Sequence, residues 1–136
     1  MPTGITTLDT NIGGGLKPGQ LGIWMAPTNR GKSIALMHVA KRAVIFKKRV
    51  LHVTCELSAD DIAERYDSSF TRIPMGELDE REFELTDKLV TFEKRFGNSL
   101  LIKEYPSGYA SVNTVRALAK RCVYAGLPPD LIVVDY

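Results

Sequence analysis

One segment near the start of the chain combines the residue types that bind phosphate groups. Its eight residues are Ala26, Pro27, Thr28, Asn29, Arg30, Gly31, Lys32 and Ser33. An apolar run over residues 21–25 precedes it, and a stretch without glycine or proline, residues 32–46, follows it. Strand, tight loop and helix is the context of a phosphate-binding P-loop, or Walker A motif. Backbone N–H groups and the helix N-terminus would surround a polyphosphate, and the lysine would add positive charge. The segment therefore predicts a site for a nucleoside triphosphate with its magnesium.

Ala26 stands where this motif usually begins with glycine. The motif is defined by Gly, Gly, Lys and Ser or Thr at fixed spacing. Even with alanine allowed at the first position, chains of this length and average composition should contain it by chance in roughly one case in a hundred. An ordinary strand-to-helix turn is the alternative interpretation, and the flanking strand and helix patterns make it the weaker one.

Two acidic residues follow apolar runs and could complete a hydrolytic site. Asp135 follows residues 131–134, as a Walker B acid does, and would hold magnesium mostly through water while Ser33 supplies a direct oxygen ligand. Glu56 follows the β-branched run 50–55 and could orient or deprotonate the water that attacks the γ-phosphate. Asp135 could instead be an acid that merely ends a strand. Glu56 could instead complement the dipole of the helix that follows it. The residues alone leave both roles of Glu56 open.

The elements that must position these residues alternate between strands and helices. Apolar and β-branched runs predict strands over residues 21–25, 50–55, 100–104 and 131–136, and helical spacing predicts helices over about 32–46, 58–70, 79–96 and 111–125. Ser58 and Asp61 have the spacing of a capping box. The alternation predicts an α/β fold, an open and largely parallel sheet with helices on both faces. Because ligands bind beyond the carboxyl ends of such strands, the phosphate loop, Glu56 and Asp135 should meet at one edge of the sheet.

Length and composition limit the class of protein. A chain of 136 residues is long enough for one core, and its formal charge of +2 is too small to argue for nucleic acid by itself. No apolar run reaches the roughly 18 residues of a membrane span, and no signal peptide is visible. Two cysteines do not form a disulfide framework, so a reducing, cytoplasmic setting is expected. The sequence ends in an apolar run that reads as an interior strand, so we expect a piece of a longer protein.

Six short segments spread over nearly the whole chain carry a family resemblance. Residues 3–9, 13–16 and 18–21 resemble the lead-in to RecA-like ATPase cores, and residues 55–58, 76–79 and 132–136 are similar to the DnaB-type replicative hexameric helicases. An alanine at the first P-loop position is common in that family. The resemblance implies a three-layer RecA-like P-loop NTPase core that runs only as far as the Walker B strand. Residues 1–20 would form the lead-in, and residues 21–136 would extend from the P-loop to Walker B.

The resemblance also implies roles, ligands and partners. By position, it makes Glu56 and Lys32 the catalytic residues, and it makes Ser33 and Asp135 the magnesium ligands. It implies ATP and Mg²⁺ as cofactors, single-stranded DNA as a partner, and self-association into a ring, a hexamer by the family's pattern. The parent protein would couple ATP hydrolysis to translocation and duplex unwinding. The family's further core strand, DNA-binding loops and arginine finger follow Walker B and are not among these residues, so we expect little turnover by this chain alone.

Two other classes of function remain as alternatives. Another RecA-type motor, a strand-exchange recombinase or a ring ATPase of the circadian-clock type, would share the same core. A nucleotide-binding switch or loader would bind ATP without significant turnover. Replacing Glu56 with glutamine separates a motor from a switch, because only a motor needs Glu56 for hydrolysis.

Overall fold

A computed structural model describes residues 1–27 and 30–136 of the chain. The elements are α1 (Thr6–Asn11), α2 (Lys32–Ile45), β1 (Val50–Thr54), α3 (Ala59–Thr71), a 3-10 turn (Met75–Glu77), α4 (Glu82–Phe96), β2 (Leu100–Glu104), α5 (Val112–Tyr124) and β3 (Leu131–Asp135). From Lys32 onward, the predicted alternation of helices and strands is confirmed, with boundaries that differ by up to three residues. Two residues of the predicted phosphate loop, Thr28 and Asn29, lie outside the described residues.

The three strands form one parallel sheet in the order β2-β1-β3. The first residue of β1, Val50, is level with Leu100 and Leu131 of its neighbours, and the last, Thr54, is level with Glu104 and Asp135. All five residues of β1 are buried, as expected for a central strand covered on both faces. Because the strands are parallel and in step, their carboxyl ends lie at the same edge of the sheet.

Helices cover both faces of this sheet, which confirms the predicted α/β architecture. On one face the buried cluster comes from α2, α3, β1 and β3 and consists of Met37, Ala40, Ala43, Val44, Val50, Ile62, Tyr66 and Val133. On the other face α5 contacts β1 through Leu51, Val53, Cys55 and Cys122. Helix α4 packs against α3, where the rings of Phe70 and Phe92 lie 4.2 Å apart. Among the described residues, no helix is long and apolar enough to cross a membrane.

The predicted capping box at the start of α3 is confirmed. The Ser58 hydroxyl oxygen accepts a hydrogen bond from the Asp61 N–H at 3.0 Å, and the Ser58 N–H donates to the Asp61 carboxylate at 3.3 Å. A second capping box, between Ser111 and Thr114, begins α5. These local bonds satisfy backbone groups that the first helical turn leaves unpaired, so they fix where each helix begins.

The prediction of a strand over residues 21–25 is wrong. These residues form no strand, and the side chains of Leu21, Ile23 and Met25 are 84%, 73% and 89% exposed. A cleft of about 360 Å³ separates residues 20–24 from β3. A strand needs a hydrogen-bonded neighbour at about 4.8 Å, and none of the described strands pairs with this segment. The apolar pattern indicated burial, but pairing depends on which strand lies alongside.

The first 20 residues contain a short helix, α1, where the sequence predicted only turns. Its Asp9 carboxylate accepts hydrogen bonds from the Thr3 N–H at 2.7 Å, the Thr3 hydroxyl at 2.8 Å and the Gly4 N–H at 3.0 Å. These bonds lower the pKa of Asp9. Gly4 has a left-handed φ of +85°, and a Cβ there would lie 2.6 Å from the Arg42 side chain. This position therefore requires glycine, and the segment is held against α2.

Candidate nucleotide site

The end of the phosphate loop turns into α2 through a left-handed glycine. Gly31 adopts φ 82° and ψ 19°, and a Cβ there would have no described atom within 4 Å apart from those of its own residue, its chain neighbours and its helix backbone. The backbone conformation, not crowding, is therefore what favours glycine here. Within the described parts of the chain, no side chain caps the first turn of this 14-residue helix. Its N–H groups remain available, which is the arrangement that binds anions at helix N-termini.

Lys32 folds back over the loop that precedes it. Its ammonium group donates hydrogen bonds to the carbonyl oxygens of Ala26 at 3.2 Å and Pro27 at 3.5 Å. Both contacts are long and exposed, so water or phosphate oxygens can replace them at little cost. The structure thus holds the predicted P-loop lysine at the loop without burying its charge.

A cleft of about 270 Å³ brings the loop together with the end of β1. Its lining residues come from the loop and α2, from the segment after β1 and from α3, and they are Arg30, Gly31, Lys32, Ser33, Ile34, Glu56, Leu57 and Arg65. Glu56 is exposed and lies at the strand edge where the sequence predicted it. One carboxylate therefore shares a cleft with three cationic side chains and an uncapped helix N-terminus.

Arg65 is a candidate site residue that the sequence analysis did not identify. It lies on α3, and its Nε atom is buried with no hydrogen-bond partner among the described residues. Helical spacing could have revealed it, because Arg65 follows Ser58 by seven residues and two turns bring it to the same side of the helix. That side is where the chain enters from Glu56, so Arg65 faces the cleft.

Asp135 lies at the end of β3, next to the cleft and not within it. Its residue is 2% exposed, and its backbone oxygen accepts a hydrogen bond from the Cys55 N–H at 2.9 Å. Asp135 lines the neighbouring cleft beside β3, and Lys32 lines both clefts. The carboxylate oxygen Oδ2 is buried without a partner among the described residues. Lys32 thus stands between the two predicted acidic site residues.

A buried histidine and tyrosine lie behind Asp135. His52 is fully buried on β1, and its Nδ1 atom is 2.7 Å from the Tyr66 hydroxyl oxygen. Burial lowers the pKa of His52, with the Asp135 charge acting in the opposite direction. Burial raises the pKa of Tyr66, and the same carboxylate adds to that effect. Both rings are therefore neutral at neutral pH.

The residues at this edge fit ATP and Mg²⁺. The uncapped helix N-terminus and the cations match a polyphosphate. Asp135 has a carboxylate oxygen with no partner among the described residues, and Ser33 offers a hydroxyl at the start of α2. The described residues contain no cluster of three or more His, Cys, Asp or Glu side chains that could hold a metal by themselves. This suits Mg²⁺, which binds through one or two protein ligands together with substrate phosphates and water.

Comparison with known proteins agrees with this geometry. The family model of the DnaB-like helicase C terminal domain matches residues 1–136. The DnaB-like replicative helicase of Enterobacteria phage T4 is 28% identical over an alignment of 141 residues, which covers 100% of this chain and 30% of the phage protein. The DNA repair protein RadA of Mycobacterium tuberculosis is 41% identical over 66 residues, which cover 48% of this chain and 14% of RadA. The chain thus spans less than a third of the length of either relative. Over its whole length, the chain belongs to the family of DnaB-like helicase C-terminal domains.

Proposed function

We propose that this chain forms the ATP-binding and hydrolysing core of a replicative DNA helicase. The observation that carries the proposal is the cleft in which the uncapped N-terminus of α2, Lys32 and Glu56 converge. The family to which the chain belongs and the replicative helicase of phage T4 support the same interpretation.

Each residue of the site has a distinct role in this proposal. The loop from Ala26 to Ser33 surrounds the phosphates, and Lys32 exchanges its two loop carbonyls for phosphate oxygens. Ser33 and Asp135 hold Mg²⁺, which neutralises phosphate charge when it is bound. Glu56 lies exposed in the cleft, where its carboxylate can orient a water molecule and accept its proton.

The proposal includes an activity of the full-length protein on DNA. ATP hydrolysis between subunits of a ring, a hexamer in the resemblance, would drive translocation on single-stranded DNA and duplex unwinding in the cytoplasm. Residues 1–20 serve as the lead-in and residues 21–136 carry the site from P-loop to Walker B. Because a hydrolytic site of this class is completed by neighbouring subunits, we expect little turnover by residues 1–136 alone.

A second candidate function is a RecA-type ATPase of DNA repair. The match to RadA over about half of this chain favours it. Both candidates use the same nucleotide site, so they differ in what the full-length protein does with DNA. Unwinding of a forked duplex distinguishes the helicase from a repair ATPase that hydrolyses ATP without strand separation.

The deciding experiment replaces Glu56 with glutamine in the full-length protein. Nucleotide binding should persist, and ATP hydrolysis stimulated by single-stranded DNA should fall about 10²- to 10⁴-fold, the usual contribution of a general base. Glu104→Gln is the matched control. Glu104 ends the neighbouring strand β2 and accepts a hydrogen bond from the Ala59 N–H at 2.8 Å, a bond that glutamine can also accept.

The control variant should therefore hydrolyse ATP at nearly the wild-type rate. If Glu56→Gln binds ATP and hydrolyses it as fast as wild type, Glu56 is not the base. Slow wild-type hydrolysis that DNA does not stimulate would favour a nucleotide-dependent switch or loader over a motor.

A further inference from the structure

Two buried polar atoms without hydrogen-bond partners lie behind the nucleotide site. They are Nε2 of His52 and Oδ2 of Asp135, and neither has a partner among the described residues. His52 is 0% exposed and Asp135 is 2% exposed. Buried polar side-chain atoms are nearly always hydrogen-bonded to protein or to ordered water, so two such atoms close together require an explanation.

The register of the sheet places these two side chains on the same face. His52 is level with Val133 on the adjacent parallel strand, and Asp135 lies two residues further along. Residues two apart on a strand point to the same side. A strand spacing of about 4.8 Å and a rise of about 3.3 Å per residue put the two Cα atoms about 8 Å apart. At that separation one bridging water molecule can join the side-chain ends, and such bridging water is a normal part of protein interiors.

The Tyr66 contact engages Nδ1 of His52 and leaves Nε2 as the ring nitrogen without a partner among the described residues. The neutral ring has one N–H donor and one acceptor nitrogen. When the Tyr66 hydroxyl donates to Nδ1, across 2.7 Å, the proton of His52 is on Nε2. In this tautomer Nε2 donates to the bridging water, which donates to the carboxylate. In the opposite tautomer the same water donates to both Nε2 and the carboxylate, so one water molecule satisfies both atoms in either case.

We propose that Tyr66, His52 and one buried water molecule form a hydrogen-bonded chain that orients the Asp135 carboxylate toward magnesium. His52 and Tyr66 are then positioning residues. The inference rests on the proposed function, in which Asp135 holds Mg²⁺. The backbone of Asp135 is already held by the Cys55 N–H, but no residue that the structure describes hydrogen-bonds to its Oδ2 atom. Partners of this kind fix the orientation of metal-binding carboxylates.

The test measures ATP affinity of the full-length protein in Mg²⁺ and in EDTA. His52→Met removes both ring nitrogens and keeps an apolar side chain of similar volume. It should weaken ATP binding in Mg²⁺ about 10-fold, as loss of an outer partner of a metal ligand does, and leave binding in EDTA unchanged. His52→Gln retains an N–H donor and should stay close to wild type in both conditions.

Tyr66→Phe keeps the ring and deletes only the hydroxyl, so it extends the test if His52→Met does not fold. It should lower affinity in Mg²⁺ and not in EDTA. The proposal is overturned if these variants lose no affinity, lose it equally in Mg²⁺ and EDTA, or if His52→Gln is as weak as His52→Met.

Asp135→Asn separates this inference from the proposed function. If ATP binding by wild type is indifferent to Mg²⁺ and to Asp135→Asn, the metal role of Asp135 fails, and the inference fails with it. If Asp135→Asn loses the Mg²⁺-dependent affinity while the His52 and Tyr66 variants keep it, the proposed function stands and only the positioning chain is refuted.

Discussion

Replacing Lys32 with alanine should weaken ATP binding strongly while the fold keeps its stability. Among the described residues, the Lys32 ammonium donates hydrogen bonds only to the carbonyl oxygens of Ala26 and Pro27, at 3.2 and 3.5 Å and exposed to solvent. Water can replace the ammonium at both carbonyls. The free energy of unfolding should therefore change by no more than about 0.5 kcal/mol, as for other exposed substitutions.

The loss of affinity follows from the charge of the ligand. A hydrogen bond to a charged partner contributes about 1.5–3 kcal/mol. Because about 1.4 kcal/mol corresponds to a tenfold change, the Kd for ATP should rise about 10- to 150-fold. The lysine side chain lines the cleft that contains Glu56, so the effect arises at the proposed phosphate position.

Lys41 is the matched control, because it is a lysine of the same helix with the opposite expectation. Its half-buried ammonium donates to the Ser69 hydroxyl at 2.9 Å and to the Ser69 carbonyl oxygen at 2.5 Å, and it does not line the cleft. Burial also lowers the pKa of Lys41. Lys41→Ala should lower the free energy of unfolding by about 1–2 kcal/mol and leave the Kd for ATP unchanged.

Titration calorimetry with ATP and Mg²⁺ measures the Kd, and urea denaturation measures the free energy of unfolding. A wild-type Kd for Lys32→Ala would refute the assignment of the phosphate loop. If both lysine variants lose affinity in proportion to their lost stability, the effect comes from α2 as a whole and the reasoning about the Lys32 charge is wrong.

Three further predictions concern stability. Ser58→Ala and Ser111→Ala each remove a capping box and should cost about 1 kcal/mol in urea denaturation at neutral pH. Hydrogen bonds from Ser58 lower the pKa of Asp61 below 3.8, so the loss of unfolding free energy in Ser58→Ala should shrink in acid as the pH falls through that lowered pKa. The loss in Ser111→Ala should not depend on pH in this way. A Ser58→Ala effect that is independent of pH would contradict the capping geometry. Burial lowers the pKa of His52 below 6.5, so His52 is protonated in the unfolded chain at a pH where it is still neutral in the folded chain. The wild-type free energy of unfolding should therefore fall as the pH drops below about 6.5. His52→Met should remove that fall, whereas His38→Met, at an exposed position of α2, should retain it.

Much of the fold could be predicted from the sequence because the signals are local. The β-branched run that became β1 and the pairing of Ser58 with Asp61 act within one element, and both predictions are confirmed. The prediction failed at residues 21–25, whose apolar pattern is equally clear. Strand formation there depends on a neighbour, and a cleft of about 360 Å³ lies between this segment and β3.

The residue types of the site and the order of the elements that carry them could be read from the amino-acid sequence. It indicated that Glu56 and Asp135 follow strands whose carboxyl ends share one edge of a parallel sheet, and the register of the sheet agrees. It did not indicate that Arg65 faces the same cleft as Glu56, because that contact joins a helix to the end of a strand.

The surroundings of each polar side chain follow from the tertiary structure and not from the local sequence. Packing of α3 on β1 brings the Tyr66 hydroxyl to the ring of His52. Pairing of β1 with β3 then places Asp135 on the same face. Helix periodicity and capping come from neighbours a few residues apart, whereas burial, hydrogen-bond partners and pKa come from segments that are distant in the chain. That difference in range explains why the phosphate-loop motif could be recognised in the sequence, whereas the contacts of His52 and Tyr66 could not.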